Sequence, residues 1–264
     1  MAAVALTIAG SDPSGGAGLQ ADVKTFQSFG VYGAAVVTTV TVQNTVGVRD
    51  RHDLAPALVA AQLEAVLDDL PVVAAKTGLL PDARIVDVVV EHLRARPGVA
   101  LVVDPVLVAT SGDALTAPSA LEAIRDRLLP IATLVTPNLA EAEALTGRTV
   151  RTVAAMRDAA AALHARGAGA VLIKGGHLHD CACDVLAIGE DIHELDAPRM
   201  AIGPVHGTGC TLSAAIAAEL ARGRGLLDAV RSARTFVRRA LAASLALGHG
   251  SRVLDHGVRT DERE

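Results

Sequence analysis

The stretch ALTIAGSDPSGGAGLQADVKTFQSFG, residues 5–30, joins an apolar run, a glycine-rich turn and a helical pattern. The run ALTIAG is almost wholly apolar, as expected for a strand that is covered on both faces. Residues 18–30 have the pattern of a helix that follows the turn. Since parallel strands are joined by crossover helices, this stretch predicts the first strand–loop–helix unit of an α/β fold.

The same alternation continues along the chain. Apolar runs that predict strands precede helical patterns; these runs are AAVVTTVTV, VVAAK, ALVVDPV, TLVTPN and AVLIKGG. The segment DVLAIGEDIHELDAP predicts a hairpin around residues 189–191, and two helices follow it. We expect a mostly parallel sheet with helices on both faces, in a single domain over residues 1–264. The C-terminal tail, about residues 250–264, is expected to be frayed.

The composition excludes several classes of protein. The net charge of −5, with no tryptophan and one tyrosine, argues against a nucleic-acid-binding protein. No run of about 18 apolar residues predicts a membrane span. The N-terminus lacks the basic segment of a signal peptide, and three cysteines are too few for a disulfide framework. We therefore expect a cytoplasmic location.

One basic cluster lies near the C-terminus, at Arg231, Arg234, Arg238 and Arg239. Its spacing predicts the outer face of an amphipathic last helix, with a phosphate contact as the less favoured alternative. Lysine is scarce in the chain, so each lysine is a candidate for a specific role.

Small polar clusters follow the predicted strands. These clusters are Gly10-Ser11-Asp12, Gln43-Asn44, Lys76-Thr77-Gly78, Asp104-Pro105, Thr136-Pro137-Asn138 and Lys174-Gly175-Gly176-His177. Because the carboxyl ends of the strands in an open α/β sheet form the ligand crevice, we expect all six clusters to meet at one site.

The glycine-rich loop GSDPSGGAGLQAD, residues 10–22, matches neither common nucleotide motif. Gly16 stands where a Walker A loop needs lysine, and Gln43-Asn44 supplies no carboxylate for the ribose of a dinucleotide. The loop is either a place where a ligand approaches the backbone closely or a tight structural turn.

The stretch VHGTGCTLSAA, residues 205–215, predicts an anion site. Gly207 and Gly209 leave amide groups unobstructed at a helix N-terminus, where the helix dipole favours negative charge. Cys210 lies in the first turn, a position that lowers a thiol pKa toward neutrality. It could be a nucleophile with His206 as its base, a group that binds a substrate hydroxyl, or an inert buried cysteine.

A second set of residues suits a metal-bound nucleotide. Asp104, Asn138 and Glu141 offer hard oxygen ligands for Mg²⁺, and Lys174 could reach phosphates as a point charge. Two plainer interpretations remain open at this stage. Asn138 and Glu141 could form a helix capping box, and Lys174 could be a buried lysine bonded to carbonyl groups.

The segment HLHDCACD, residues 177–184, places His177, His179, Cys181 and Cys183 at alternate positions. Zinc ligands usually have two to four residues between cysteines, so this spacing argues against a physiological metal site. The segment is interpreted as a flap that leads into the predicted hairpin.

Seven stretches together resemble the hydroxymethylpyrimidine/phosphomethylpyrimidine kinases of thiamine biosynthesis, in the ribokinase-like superfamily. They occur in the family's order over about residues 4–245, and they are TIAGSDPSGGAGLQADVKTF, TTVTVQNTVGV, AKTGLL, VVDPVLVATSGDAL, VTPNLAEAEAL, VLIKGGH and HGTGCTLSAA. The resemblance implies a three-layer α/β/α domain, usually in a homodimer. It also implies phosphorylation of the hydroxymethylpyrimidine to the monophosphate and then the diphosphate, with ATP and Mg²⁺.

The resemblance also assigns site residues. It implies that Gln43 hydrogen-bonds the aminopyrimidine edge, since an amide donates and accepts side by side. Asp22, Gly10 and Leu79 would line the same pocket, Leu79 standing where many members have methionine. Cys210 matches the cysteine that replaces the aspartate base of sugar-kinase relatives. The remaining matches are Gly207, Thr208 and Gly209 for the anion hole; Asp104, Asn138 and Glu141 for the Mg-nucleotide side, with Mg²⁺ bound to Asp104 and Glu141 through water; and Lys174 for the phosphate-contacting lysine.

Three other functions remain open from the sequence. A pyridoxal or pyridoxine kinase of the same fold is the nearest, and Gln43 is the residue that favours the aminopyrimidine over it. A non-catalytic pyrimidine-binding protein should have lost the nucleotide side, whereas Asp104, Glu141 and Lys174 are all present. A zinc-binding redox module at residues 177–184 is the third. We expect small-molecule partners and neither nucleic acid nor a membrane.

Overall fold

A computed structural model describes residues 2–107, 116–176 and 182–260 of the chain. Its main sheet has nine strands in the order β3-β2-β1-β4-β5-β6-β7-β8-β9. The strands are β1 Val4–Ser11, β2 Tyr32–Gln43, β3 Val48–Asp53, β4 Val72–Thr77, β5 Ala100–Val103, β6 Leu134–Val135, β7 Ala170–Ile173, β8 Ala182–Ile188 and β9 Asp191–Ala197. Strands β2, β1, β4, β5, β6 and β7 are parallel, while β3, β8 and β9 are antiparallel to their neighbours. The predicted mostly parallel sheet is confirmed.

Helices cover both faces of this sheet. They are α1 Gly18–Ser28, α2 Pro56–Asp69, α3 Ala83–Arg94, α4 Pro118–Ala123, α5 Leu139–Thr146, α6 Val153–His164, α7 Thr208–Ala221 and α8 Leu226–Ala242. One apolar cluster packs α1, α7 and α8 against the sheet. A second apolar cluster packs the five helices from α2 through α6 against the sheet. The three-layer α/β/α architecture is therefore confirmed. No helix in the described ranges is both long and apolar enough to cross a membrane.

Helix α7 packs against α1, α8, β4 and β5, and its residues from Thr211 to Glu219 are all buried. Alanines make up much of this segment, and small side chains let the helix lie close to its neighbours. This close packing fixes the first turn of α7 against the carboxyl ends of the central strands.

Strand β3 was not expected from the sequence. Its sequence VRDRHD is mostly charged and polar, so it lacks the apolar pattern of a strand. It forms the edge of the sheet, antiparallel to β2, where one side of the strand needs no partner in the sheet. Charged residues are common on such edges because they discourage pairing with another chain.

The expectation of a frayed tail from about residue 250 is wrong for residues 250–260. Strand β11, Arg252–Val253, pairs with β10, Val205–His206, directly before α7. The buried ring of His256 lies 2.9 Å from Thr211 Oγ1. Because these contacts are made with distant parts of the chain, local sequence patterns did not predict them.

We expect His256 to make the fold sensitive to acid. Burial lowers the pKa of His256 to about 4, from an unfolded value near 6.5. The unfolded chain thus binds the proton more readily between these values, and the free energy of unfolding should fall by roughly 2–3 kcal/mol as pH drops from 6.5 to 4. The variant His256→Gln should lose that part of the slope in urea titrations. The exposed His249→Gln is the control and should keep it.

Candidate active site

The carboxyl ends of the parallel strands open into one cleft of about 930 Å³. Each of the six predicted strand-end clusters contributes to its lining; the contributing residues are Gly10, Ser11, Asp12, Gln43, Lys76, Gly78, Asp104, Asn138, Lys174 and Gly176. Leu79, Glu141, Gly207, Thr208, Gly209 and Cys210 also line it. The structure therefore brings together every candidate site residue except Asp22.

Asp22 lies beneath the cleft and does not line it. Its side chain is fully buried, and its Oδ2 accepts hydrogen bonds from Lys76 Nζ at 2.8 Å and from Thr7 Oγ1 at 2.6 Å. The implied contact between Asp22 and a substrate is therefore not supported by the structure. Helix periodicity alone could not show that this residue faces the sheet rather than the cleft.

Gln43 lies at one end of the cleft, in contact with His206. Its side-chain amide is 2.8 Å from His206 Nε2, which is also 3.2 Å from Asp12 Oδ2. Burial raises the pKa of Asp12, but hydrogen bonds from His206 and Ser14 outweigh it and hold the pKa below its ordinary value. The atom of Gln43 that faces the ring is Nε2, and Gln43 Oε1 accepts from Thr41 Oγ1 at 3.1 Å, so His206 and Thr41 together hold the Gln43 amide.

Asp12 also organises the glycine-rich loop. Its carboxylate accepts hydrogen bonds from the backbone amides of Ser14 and Ala17. Gly207, with φ 83°, lies so close to the loop that a Cβ there would be 1.9 Å from the Gly16 carbonyl oxygen. The loop is thus tied to the turn that begins α7.

That turn faces the charged groups of the other strands. The first amides of α7 have no acceptor within the helix, so they can bind an anion. A Cβ added at Gly209 would lie 3.2 Å from Lys174 Nζ and 3.7 Å from Asp104 Oδ2. Ser213 Oγ, one turn along α7, donates to Asp104 Oδ2 at 3.2 Å. The predicted anion site and the predicted nucleotide side are therefore adjacent.

Lys174 connects two carboxylates at this point. Its Nζ lies 2.9 Å from Asp104 Oδ1 and 3.8 Å from Glu141 Oε2. Burial raises the pKa of Asp104, but the charges of Lys174 and Lys76 outweigh it and lower that pKa. Burial raises the pKa of Glu141 to about 7 despite Lys174. At neutral pH the pair therefore carries more than one negative charge around one ammonium group.

The capping box at Asn138 and Glu141 is present as well. Asn138 Oδ1 accepts a hydrogen bond from the backbone N–H of Glu141 at 2.9 Å, and Glu141 Oε2 accepts one from the backbone N–H of Asn138 at 2.7 Å. The two interpretations of this pair are compatible, because the cap fixes both side chains at the mouth of the cleft. Lys174 is bonded to carboxylates, so the alternative in which carbonyl groups hold it is wrong.

Cys210 is the third residue of α7 and lines the cleft. Burial raises the pKa of its thiol to about 11, against the opposing effects of Lys76 and a hydrogen bond from the Gly18 amide. The expectation of a pKa near neutrality is wrong, because burial outweighs the Lys76 charge and the Gly18 hydrogen bond, which both favour the thiolate. At pH 7 the thiol is neutral.

Two of the four clustered arginines face the cleft, contrary to prediction. Arg234 and Arg238 line it, and Arg234 Nε lies 2.8 Å from Asp184 Oδ2. Asp184 in turn accepts from the Gly175 amide at 2.8 Å, beside Lys174. The amphipathic pattern of α8 located its buried face correctly, but it could not show that β8, β9 and the start of the loop after β9 contact the edge of this helix.

The metal alternative at residues 177–184 falls largely outside the described residues, which include neither His177, His179 nor Cys181. Cys183 is buried in β8. Within the described ranges, no group of three or more His, Cys, Asp or Glu side chains could hold a metal ion.

Comparisons with known proteins agree with this geometry. A family model described as phosphomethylpyrimidine kinase matches residues 12–255. The hydroxymethylpyrimidine/phosphomethylpyrimidine kinase of Rhizobium meliloti is 48% identical over 260 residues, which cover 97% of each chain. The chloroplastic thiamine biosynthetic bifunctional enzyme TH1 of Arabidopsis thaliana is 48% identical over 97% of this chain, which spans only 51% of that protein.

The fold matches solved structures over nearly its whole length. An ADP complex of Bacillus subtilis pyridoxal kinase superposes with a TM-score of 0.89 at 37% identity, covering 97% of this chain and 98% of that one. This similarity confirms the ribokinase-like fold.

Proposed function

Because the chain belongs to the phosphomethylpyrimidine kinase family, we propose that it phosphorylates 4-amino-5-hydroxymethyl-2-methylpyrimidine and then its monophosphate, with ATP as donor. One observation carries the proposal: a single cleft holds Gln43 at one end and the Lys174–Asp104–Glu141 cluster at the other, with the first turn of α7 between them. An acceptor at Gln43 and a donor at Lys174 would meet at Cys210.

The residues of the cleft have separate tasks in this reaction. Gln43 binds the aminopyrimidine edge, and His206 fixes the orientation of its amide. Lys174 and the amides of Thr208, Gly209 and Cys210 stabilise charge on the transferring phosphoryl group. In phosphoryl transfer such positioning and charge stabilisation supply most of the rate enhancement.

Asp104 and Glu141 fit a magnesium ion that is bound mainly by water and phosphate. Two carboxylates beside a phosphate site are the usual protein contribution to Mg²⁺, which keeps several of its waters. When bound, the ion would neutralise charge on the ATP phosphates. Asp104 supports this assignment best, because it is ionised at neutral pH.

The experiment is a turnover assay with Mg-ATP, the hydroxymethylpyrimidine and, in parallel, pyridoxal. ADP release is measured and the products are weighed by mass spectrometry. We expect the pyrimidine to gain one phosphoryl group and then a second. Turnover of pyridoxal alone would reassign the chain to pyridoxal phosphorylation, and turnover of neither would favour a non-catalytic pyrimidine-binding protein.

Cys210 contacts the acceptor hydroxyl in this proposal as a neutral thiol that orients it. The second acceptor is a phosphate monoester, already largely ionised at pH 7 because its second pKa is near 6. We therefore expect Cys210→Ala to lower kcat/KM of the first step about tenfold more than that of the second. The control Cys183→Ala alters a buried thiol that does not line the cleft and should spare both steps. Equal losses in both steps would contradict this role.

We also propose a homodimer. Val40 and Val42 alternate on β2 and are exposed, as is Val46 in the following turn. Exposed apolar side chains grouped in this way are typical of an interface, here with a second copy of the chain. Sedimentation at micromolar concentration should give the mass of two chains, and a single-chain mass would contradict the dimer.

A cytoplasmic location is proposed from the same site. The thiol of Cys210 and the use of ATP both suit a reducing, nucleotide-rich compartment. Fractionation of the source cells should place the protein with cytoplasmic markers.

A further inference from the structure

A buried ion pair lies directly under the Cys210 end of the cleft. Lys76 at the end of β4 and Asp22 in α1 are both fully buried, with Lys76 Nζ 2.8 Å from Asp22 Oδ2. Thr7 Oγ1 donates to the same Asp22 oxygen at 2.6 Å, as suits an ionised carboxylate. Burial would lower the pKa of Lys76, but the Asp22 carboxylate holds it above the ordinary value, so the ammonium group stays charged.

Packing alone does not explain this pair. A buried ion pair is seldom better for stability than apolar residues of the same volume, because both ions lose their hydration. The neighbouring residues Ala74 and Ala75 of β4 are apolar and fully buried, as expected for a central strand. Asp22 Oδ1 has no hydrogen-bond partner among the described residues, so even the carboxylate is incompletely satisfied.

The position of Lys76 indicates what its charge acts on. Lys76 lines the cleft, and α7 packs against both β4 and α1, the two elements that carry the pair. Among the described residues, the charged groups that act on the Cys210 sulfur include Lys76, Asp22, Asp104 and Lys174. Of the pair, Lys76 has the larger effect on the sulfur, and it favours negative charge there.

We propose that Lys76, anchored by Asp22, is a positioning residue that favours negative charge at the Cys210 end of the cleft. It acts through the Cys210 sulfur and, when substrate is bound, through the acceptor oxygen beside it. Asp22 keeps the ammonium charged and in place without entering the cleft. That Lys76 assists phosphoryl transfer rests on the proposed function. That Lys76 favours negative charge on the Cys210 sulfur does not.

The test measures how fast iodoacetamide alkylates Cys210 in the free protein at mildly alkaline pH. Mass spectrometry of the peptide that contains Cys210 separates this reaction from those of the other two cysteines. The thiolate is the reactive form, so well below the pKa the rate reports the thiolate fraction. The double variant Lys76→Met with Asp22→Asn leaves neither member of the pair buried as a lone charge. We expect its Cys210 to be alkylated about tenfold more slowly, because a rise of one unit in the thiol pKa lowers the thiolate fraction tenfold.

A second double variant tests whether slower alkylation comes from the lost charge or from a disturbed fold. Lys76→Gln with Asp22→Asn keeps a hydrogen bond between the two side chains, and it should slow alkylation as the first pair does. The control Thr7→Val removes a neutral hydrogen bond to the same carboxylate and should leave the rate within about twofold, since no charge changes. Thermal unfolding confirms that each variant is folded before its rate is used.

The outcomes separate this proposal from the kinase assignment. If alkylation is unchanged or faster in the folded double variants, the proposed role of Lys76 is wrong. Faster alkylation would instead indicate a loosened site that exposes the thiol. Slower alkylation with loss of kcat in the first phosphorylation, at unchanged KM for ATP, supports it. If the unaltered protein phosphorylates no pyrimidine, the proposed function fails, and the alkylation rates still decide the electrostatic role.

Discussion

The variant Lys174→Met should lower kcat/KM for the first phosphorylation by about 10²–10³-fold. Lys174 lies close to the first turn of α7, with its Nζ 3.2 Å from where a Cβ of Gly209 would lie. A phosphoryl group held by these amides would lie against its ammonium group. Methionine keeps the length of the side chain and removes its charge, so the loss measures stabilisation of the transferring group. Steady-state ADP release measures the change.

The same substitution should also destabilise the fold. Asp104 and Glu141 would face each other without their shared cation, and an uncompensated buried charge typically costs about 3–5 kcal/mol. Glu141 relieves part of this cost by taking up a proton, since its pKa is already about 7. The control Arg127→Met removes a cation that pairs with Asp87 outside the cleft, and its activity should match the unaltered protein. Activity within tenfold of normal in folded Lys174→Met would contradict the phosphate contact.

The variant Gly207→Ala should abolish measurable transfer, with a loss of at least about 10²-fold. Two constraints act together at this residue. Its φ of 83° is unfavourable for any residue with a Cβ, and that Cβ would lie 1.9 Å from the Gly16 carbonyl oxygen. The turn must therefore move away from the glycine-rich loop, which takes the α7 amides away from the phosphoryl position.

The matched control for this variant is Gly98→Ala. Gly98 has ordinary φ and no atom within 4 Å of an added Cβ, so alanine should be tolerated there. Turnover and thermal unfolding are measured for both variants. If Gly207→Ala keeps normal kcat, the first turn of α7 does not bind the transferring group, and the anion site must be sought elsewhere in the cleft.

Parts of the site could be predicted from the sequence because they depend on the spacing of residues close together in the chain. The glycines of VHGTGC and the capping pair at Asn138 and Glu141 act within one turn of chain, so their spacing carries the information. The strand-end clusters were predictable for a related reason. The carboxyl ends of parallel strands meet at one edge, whatever the strand order.

Residues whose role depends on distant partners were misplaced or missed. The family resemblance placed Asp22 in the substrate pocket, yet this residue of α1 pairs with Lys76 of β4 beneath the cleft. Arg234 belongs to a helix whose pattern suggested a solvent-facing row, yet it pairs with Asp184. His206 was considered only as a base for the neighbouring Cys210, whereas it contacts Gln43 and Asp12 far away in the sequence.

The sequence by itself determined the α/β class, the alternation of strands and helices, the family and the edge of the sheet where chemistry occurs. Periodicity, glycine positions and motif order express these properties within short stretches of chain. Only the tertiary structure showed which charges pair beneath the cleft and that the Cys210 thiol is neutral. It also showed that the C-terminal segment pairs with the strand before α7 and contacts the start of that helix. Each of these depends on burial and on distances between groups far apart in the chain, and the energy of a charge is set by the solvent and partners that surround it in the fold.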